Sequence, residues 1–320
     1  MKHLYIIGNG FDIHHGRNTD YQNFHKWLSD NEENETLSAI DETFGYCDKT
    51  WWKDFEQNLA SANTLEIAIE EAKEHYPNFG SDDFRDADWH DAECAVEQRL
   101  EEAYTAIRDS FHRWINQLDG GNEEMKIEME LDDSLFLTFN YSDTLESLYN
   151  IPYNRILYIH GKAKTNDELV LGHGVCLEDL EKEVVSSEPS FALGNEDDDY
   201  YYEEGDDYIT QSAKDAAVSA VHKQRKNVDS IINKHEEWFA ALSDVTKIHI
   251  YGHSFGDVDL PYFRKIFSSV DKMNVEVEIS DYRSYNKDVI DSFMQSEGFT
   301  EGYGANSYHV MELTDLLIKE

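Results

Sequence analysis

Several apolar runs of this chain end directly on groups capable of ligand chemistry. Leu4 to Ile7 breaks into Gly8-Asn9-Gly10-Phe11-Asp12. The run from Ser134 reaches Thr138-Phe139-Asn140-Tyr141-Ser142, and Arg155 to Ile159 ends on His160-Gly161-Lys162. A further run, Glu168 to Leu171, ends on Gly172-His173-Gly174. Glycine lets a backbone come close to a phosphate or ribose, and open parallel sheets bind ligands outside the carboxyl ends of their strands. Together these endings predict a nucleotide pocket. Singly, each has a plainer reading. The opening loop carries Ile13 where the dinucleotide fingerprint G-x-G-x-x-G wants its third glycine, so a tight strand-to-helix turn fits it too. Asn140 suits a helix cap, and His160 suits a loop histidine bonded within the protein.

Two other chemistries can be written on Gly252-His253-Ser254-Phe255-Gly256-Asp257-Val258-Asp259. Gly252 to Gly256 satisfies the G-x-S-x-G nucleophile elbow, with His309 the one histidine downstream to complete a triad. His253, Asp257 and Asp259 offer nitrogen and oxygen ligands for a divalent cation, as a nuclease would need, although Asp257 after Gly256 is also good turn chemistry. Cys47, Cys94 and Cys176 are far apart and lack C-x-x-C spacing, which fits reduced structural thiols and no metal site.

The elements that must position these groups alternate. Strands are predicted over 134–141, 155–159, 168–174, 245–251 and 274–281, with a short one at 308–311; helices are predicted near 144–149, 212–242, 260–270 and 286–297. Alternation of β and α elements means an α/β fold with a parallel, Rossmann-like sheet and helices on both faces. Between Tyr21 and Leu118 the periodicity is helical almost throughout, including Val96, Leu100, Tyr104, Ile107, Phe111 and Trp114 at steps of three and four. The expected organisation is one α/β domain over 1–320, with a large helical insertion at 21–118 and an acidic loop insertion at 177–211. Within the latter, eight of the twelve residues 196–207 are acidic, which reads as a solvated loop. His222-Lys223-Gln224-Arg225-Lys226 is the one concentrated basic patch, expected to pair with the protein's own acids.

The whole chain of 320 residues carries 27 Lys+Arg against 67 Asp+Glu, a formal net charge of −40. Such a surface repels phosphate backbones and anionic membranes at long range, so neither nucleic acid nor a membrane is expected as a partner. Four apolar residues before Gly8 are too few for a signal-peptide core, and no stretch reaches transmembrane length, so a cytoplasmic location is expected.

Four blocks taken in order, Ile6 to Asp12, Thr138 to Glu146, Ile159 to Gly161 and Gly252 to Asp259, closely resemble the AbiH family of phage abortive infection proteins. The resemblance extends through the helical Trp52-Lys53-Asp54-Phe55-Glu56 block. The last three blocks also resemble the N-Y-D…L-E, H-G and G-y-S-x-x-D-x-D blocks of sirtuin-like defence NADases. The resemblance implies a sirtuin-like fold and an anti-phage effector that hydrolyses NAD, or a related nucleotide, at the nicotinamide–ribose bond. It implies that Asn140 and His160 are catalytic and flank the nicotinamide ribose. Gly8, Asn9 and Gly10 would approach the phosphates, and Phe11, Asp12, Thr138, Tyr141, Ser142 and Gly161 would line the pocket. Gly252, His253, Ser254, Asp257 and Asp259 would lie on the adenosine side, with Glu56 an additional candidate. NAD would be substrate, no metal is expected, and a phage-derived activator and further copies of the chain are the expected partners. The sirtuin loop is usually G-A-G-x-S, so the bulkier, acidic loop here keeps another nucleotide open as the ligand. A non-catalytic nucleotide sensor and a metal-dependent nuclease are the alternatives.

Overall fold

Seven short segments rich in apolar residues form the sheet: β1 (Lys2–Ile7), β2 (Ser134–Thr138), β3 (Ile156–Tyr158), β4 (Val245–Tyr251), β5 (Glu276–Ser280), β6 (Thr300–Glu301) and β7 (Ser307–Met311). The computed structural model describes residues 2–78, 80–165, 167–187, 204–282 and 285–318. All neighbouring strands run parallel, in the order β3-β2-β1-β4-β5-β7-β6. From β1 the chain builds outward through β2 and β3, then crosses back to start the other half at β4. The order therefore reverses between β1 and β4, which is where α/β sheets open a ligand crevice.

Side chains alternate across the sheet because a strand has a period of two. Leu4 and Ile6 of β1 join Ile248, Ile250, Val277 and Ile279 on one face, against Phe263, Ile266 and Phe293. Tyr5 and Ile7 join Phe136 and Tyr251 on the other, against Phe11, Leu145 and Tyr149. Helices thus cover both faces. The helix Leu260–Ser269 starts with proline in its first turn and buries Tyr262, Phe263, Ile266 and Phe267 along one side. Each such burial contributes about 1.5–3 kcal/mol relative to exposure.

Two compact units make up the chain: Met1–Phe24, His112–Val170 and Asn227–Glu320 form the first, and His25–Phe111 with Leu171–Lys226 forms the second. The first contains the whole sheet. In the second, helices include Asn34–Phe44, Thr64–Glu74 and Glu204–His222. There Trp52 stacks on His25 and Phe55 at 4.4 and 5.5 Å, and the Tyr104 hydroxyl donates to the Leu59 carbonyl at 2.8 Å.

The sequence expectations differ from the structure in three elements. No sheet strand forms at 168–174: Val170 donates its N–H to the His160 carbonyl, and His173 makes only an isolated bridge to Arg225. The helix predicted over 212–242 stops at His222, and just beyond it the Gln224 carbonyl packs so close to Gly172 that a Cβ there would sit 2.0 Å from it. It resumes as Val228–Lys234 and Glu236–Ala240. Of the acidic run 196–207, residues 196–203 lie outside the described residues, and from Glu204 the backbone is already helical. The basic patch is dispersed: Lys223 pairs with Glu97 at 3.0 Å, Arg225 donates to the Gly174 carbonyl, and Lys226 pairs with Glu56. Among the described residues, no helix is long and apolar enough to cross a membrane.

Candidate functional site

Strand register brings the sequence-predicted residues to one edge. Ile7 pairs with Thr138 on one side and Tyr251 on the other, and Thr138 pairs with Tyr158. Two residues beyond this level the chain carries Asn140, His160 and His253, each at the carboxyl end of its strand. Adjacent strands are about 4.8 Å apart, so these groups fall within the reach of one small molecule.

The loops after β1 and β4 close directly on each other. Gly8 N–H donates to the Tyr251 carbonyl at 2.9 Å, and Gly10 N–H to the Gly252 carbonyl at 2.8 Å. A Cβ on Gly8 would lie 2.7 Å from the Gly252 carbonyl oxygen, and one on Gly252, whose φ is +71°, would lie 2.0 Å from Phe11 N. The glycines here are needed for loop-on-loop packing, a reason independent of any phosphate. Asn9 is exposed and its amide donates to the Thr19 carbonyl at 3.0 Å.

Phe11 and Asp12, expected to face a ligand, are both turned inward by the structure. Phe11 is fully buried, its ring 4.3 Å from that of His15 and 5.8 Å from that of Tyr149, because it belongs to the core of the β1 face. Asp12 is 1% exposed and accepts hydrogen bonds from the hydroxyls of Ser142 and Thr144. Burial pushes its carboxyl above the usual carboxylate range, against those two hydroxyls, the charge of Arg17 and a hydrogen bond from Asn140. Asn140 also donates its amide to the Gly8 carbonyl at 3.0 Å, while its own N–H bonds the Thr138 hydroxyl. Asp12 thus ties the β1 loop to the β2 loop, and Asn140 is held by both.

Sequence reasoning passed over the groups that lock this network. Arg17, 3% exposed, donates to Asp143 at 2.9 Å and to the Ser147 hydroxyl at 2.9 Å. Although burial opposes it, Lys164 and Arg17 hold the Asp143 carboxyl below its ordinary range. His15 bonds the Phe11 carbonyl and the Tyr149 hydroxyl, both at 2.7 Å. The four-residue spacing of Phe11 and His15, one helical turn, was the available signal.

His160 and His253 converge on one carboxylate. His160 Nε2 lies 3.8 Å from Asp259 Oδ1, and His253 Nε2 lies 3.4 Å from Asp259 Oδ2. Both imidazoles are nearly buried, and the ring of Phe139 packs against both, at 5.3 and 4.4 Å. Tyr141 places its ring 6.2 Å from His160 and its hydroxyl on the Val170 carbonyl. Gly161 takes φ +82°, and a Cβ there would lie 2.5 Å from the Glu168 carbonyl oxygen, so glycine is what allows the chain to turn back behind His160.

Other sequence-predicted groups have different surroundings. Ser254 and Asp257 are exposed. The esterase alternative needs His309 near Ser254, but His309 sits within β7 in register with Glu278, and its Nε2 lies 3.3 Å from that carboxylate. Nor does Ser254 have elbow geometry: the positive φ, +58°, falls on Phe255, and eight residues, 252 to 259, separate β4 from the next α-helix. Glu56 belongs to the second unit, where it pairs with the buried Lys226. That unit also contains a cavity of about 530 Å³, bordered by Asn63, Leu65, Leu180 and Val221, none of them a residue expected to do chemistry.

The family model described as Bacteriophage abortive infection AbiH matches residues 4–281. No curated protein and no solved structure matches the chain. The matched span takes in the loops after β1 to β4, with Asn140, His160 and Asp259 among them, and most of the sheet. With that span covered by one family model, this chain belongs to the AbiH family of bacteriophage abortive infection proteins.

Proposed function

We propose that this AbiH protein binds a nucleotide across the carboxyl ends of β1 to β4 and hydrolyses NAD at the nicotinamide–ribose bond, depleting it during infection. One observation carries the reading: Asn140 and His160 stand two residues beyond the register pair Thr138–Tyr158, on the adjacent parallel strands β2 and β3, at the carboxyl edge of the sheet whose order reverses between β1 and β4. Cleavage breaks the bond between the ribose C1′ and the nicotinamide nitrogen, whose electron pair leaves with nicotinamide. Positive charge builds on the ribose, water adds at C1′, and a proton must be accepted. Asn140 directs its N–H groups to Gly8 and Asp12, which leaves its amide oxygen to accept from water or a ribose hydroxyl. A neutral His160 takes the proton. An effector of this kind is kept silent until infection, and a phage-derived activator belongs to the same proposal.

The test is release of nicotinamide from NAD by the purified protein, alone and with extract from infected cells. Asn140→Ala and His160→Ala are each expected to lower turnover by about 10²–10⁴-fold, the usual loss of a proton-transfer or water-placing group. Turnover that survives both substitutions overturns the assignment. A second reading is binding without catalysis, since the Asn140 amide N–H groups are spent on Gly8 and Asp12 inside the protein and hold the residue as part of the pocket wall. That reading predicts a thermal shift with NAD and no consumption of it.

A further inference from the structure

The hydrogen-bond donors at the strand-end loops are turned into the protein. Four glycines that could bring a backbone N–H to a phosphate have each given it to an internal acceptor: Gly8 to the Tyr251 carbonyl, Gly10 to the Gly252 carbonyl, Gly161 to the Tyr158 carbonyl and Gly252 to the Ser280 hydroxyl. Side chains of the same loops do likewise. The Asn9 amide donates to the Thr19 carbonyl, the hydroxyls of Ser142 and Thr144 donate to Asp12, and that of Tyr141 donates to the Val170 carbonyl. The Asn140 amide N–H groups go to Gly8 and Asp12, so the part of Asn140 left for a ligand is its oxygen, which only accepts.

Charge is arranged in the same sense. The side chain of Arg17 is 1% exposed and pairs with Asp143 at 2.9 Å; Lys164 pairs with the same carboxylate at 2.8 Å. Lys162 pairs with Glu146 and lies over the rings of Tyr153 and Tyr158, 5.4 and 5.5 Å from their centres. The loop after β4 brings no cation and two further carboxyls, Asp257 and Asp259. With histidines neutral, the four loops at 8–17, 139–147, 159–165 and 252–259 hold three cations against five carboxyls, a net of −2. Phosphate oxygens carry negative charge and accept without donating, so both features disfavour them here. A pyridinium has a fixed positive charge, and the ribose hydroxyls and carboxamide NH2 beside it donate.

We propose that the crevice over β1 to β4 selects the cationic end of its ligand, an N-ribosylated pyridinium, through the Asn140 oxygen and the excess of carboxyls, and that the loops after β1 to β3 hold no phosphate. The proposal rests on the reading of this edge as an NAD site, and it narrows the substrate class from nucleotides to pyridinium ribosides. The same excess of negative charge favours the positive charge that builds on the ribose as the bond to nicotinamide breaks.

Titration calorimetry of the full chain without infected-cell extract, using four probes, tests this. NAD and NADH carry the same phosphates and differ in ring charge; NAD is expected to bind at least tenfold more tightly. Nicotinamide mononucleotide adds one 5′-phosphate to nicotinamide riboside, and the two are expected to bind within threefold of each other. Lys164→Met, at a side chain 42% exposed, is expected to leave the affinity for the mononucleotide within twofold. A smaller preference for NAD, a mononucleotide more than threefold tighter than the riboside, or a larger loss with Lys164→Met overturns the proposal. Binding of none of the four overturns it together with the NAD reading. Nicotinamide release from NAD combined with a phosphate-driven gain leaves the hydrolase standing and removes this proposal. The expected order of affinities in a protein that never releases nicotinamide leaves the pyridinium site standing and sinks the hydrolase.

Discussion

His15 shows how a single residue type can report on the whole β1 loop. Its Nδ1 faces a carbonyl, which only accepts, so the neutral ring donates there and its Nε2 accepts from the Tyr149 hydroxyl, which also receives the Ile127 N–H at 3.0 Å. Burial, opposed by the Phe11 carbonyl, brings the imidazole down to about 4 from an ordinary 6.5. Between those values the unfolded chain binds the extra proton, so stability is lost as pH falls from about 6.5 towards 4, by about 3 kcal/mol for this group. Asp12 works with the opposite sign: its folded-state carboxyl holds a proton longer than the unfolded one, so its contribution declines as pH rises through the carboxylate range. Urea unfolding of the protein and of His15→Gln across pH 4 to 7 isolates the first effect. The variant should be less stable at pH 7 and show a shallower slope; equal slopes would contradict the assignment. Residue identities at the site were legible where they ended apolar runs, as with Asn140 and His160. Phe11 and Asp12 were read as ligand-facing because a sequence shows which residues leave a strand but not whether the neighbouring loop leaves them any solvent.

At the scale of elements, the two loops across the strand reversal make an unusually close backbone contact, and glycine is its requirement. Gly252→Ala combines a left-handed φ with a Cβ 2.0 Å from Phe11 N and is expected to cost about 3 kcal/mol or more. Gly256 in the same loop has φ −58° and nothing within 4 Å of the place a methyl would take, so Gly256→Ala should be neutral or stabilise by up to about 1 kcal/mol. Denaturant titration of the pair tests whether packing explains these glycines, and equal effects would refute it. β2 was readable as a short apolar run, Leu135 to Leu137, whereas β5 was readable because Val277 and Ile279 alternate with Glu276 and Glu278. β6, two residues long and exposed, carries no such signal. The break at His222 was invisible because the contact beside it, between the Gln224 carbonyl and Gly172, joins segments distant in sequence.

For the whole molecule, charge is the dominant long-range fact. A net −40 stores self-repulsion in the folded chain, and salt screens it over a Debye length of about 10 Å at 0.1 M. Raising sodium chloride from 0.05 to 0.5 M should therefore raise Tm by a few degrees, a change that thermal unfolding measures and that a flat or falling Tm would exclude. The central place of β1 has a different consequence, in time. Its sheet partners are β2 and β4, and the loop that closes on Gly8 follows Tyr251, so the two halves of the crevice are made far apart in sequence. At roughly 5–20 residues per second of synthesis, the opening loop waits on the order of ten to fifty seconds for its counterpart. A nascent chain therefore carries the opening loop without a pocket, and a ribosome stalled anywhere before β4 releases no working site. The order of the strands thus ties the crevice to synthesis itself: only a chain extended beyond β4 carries both of its walls.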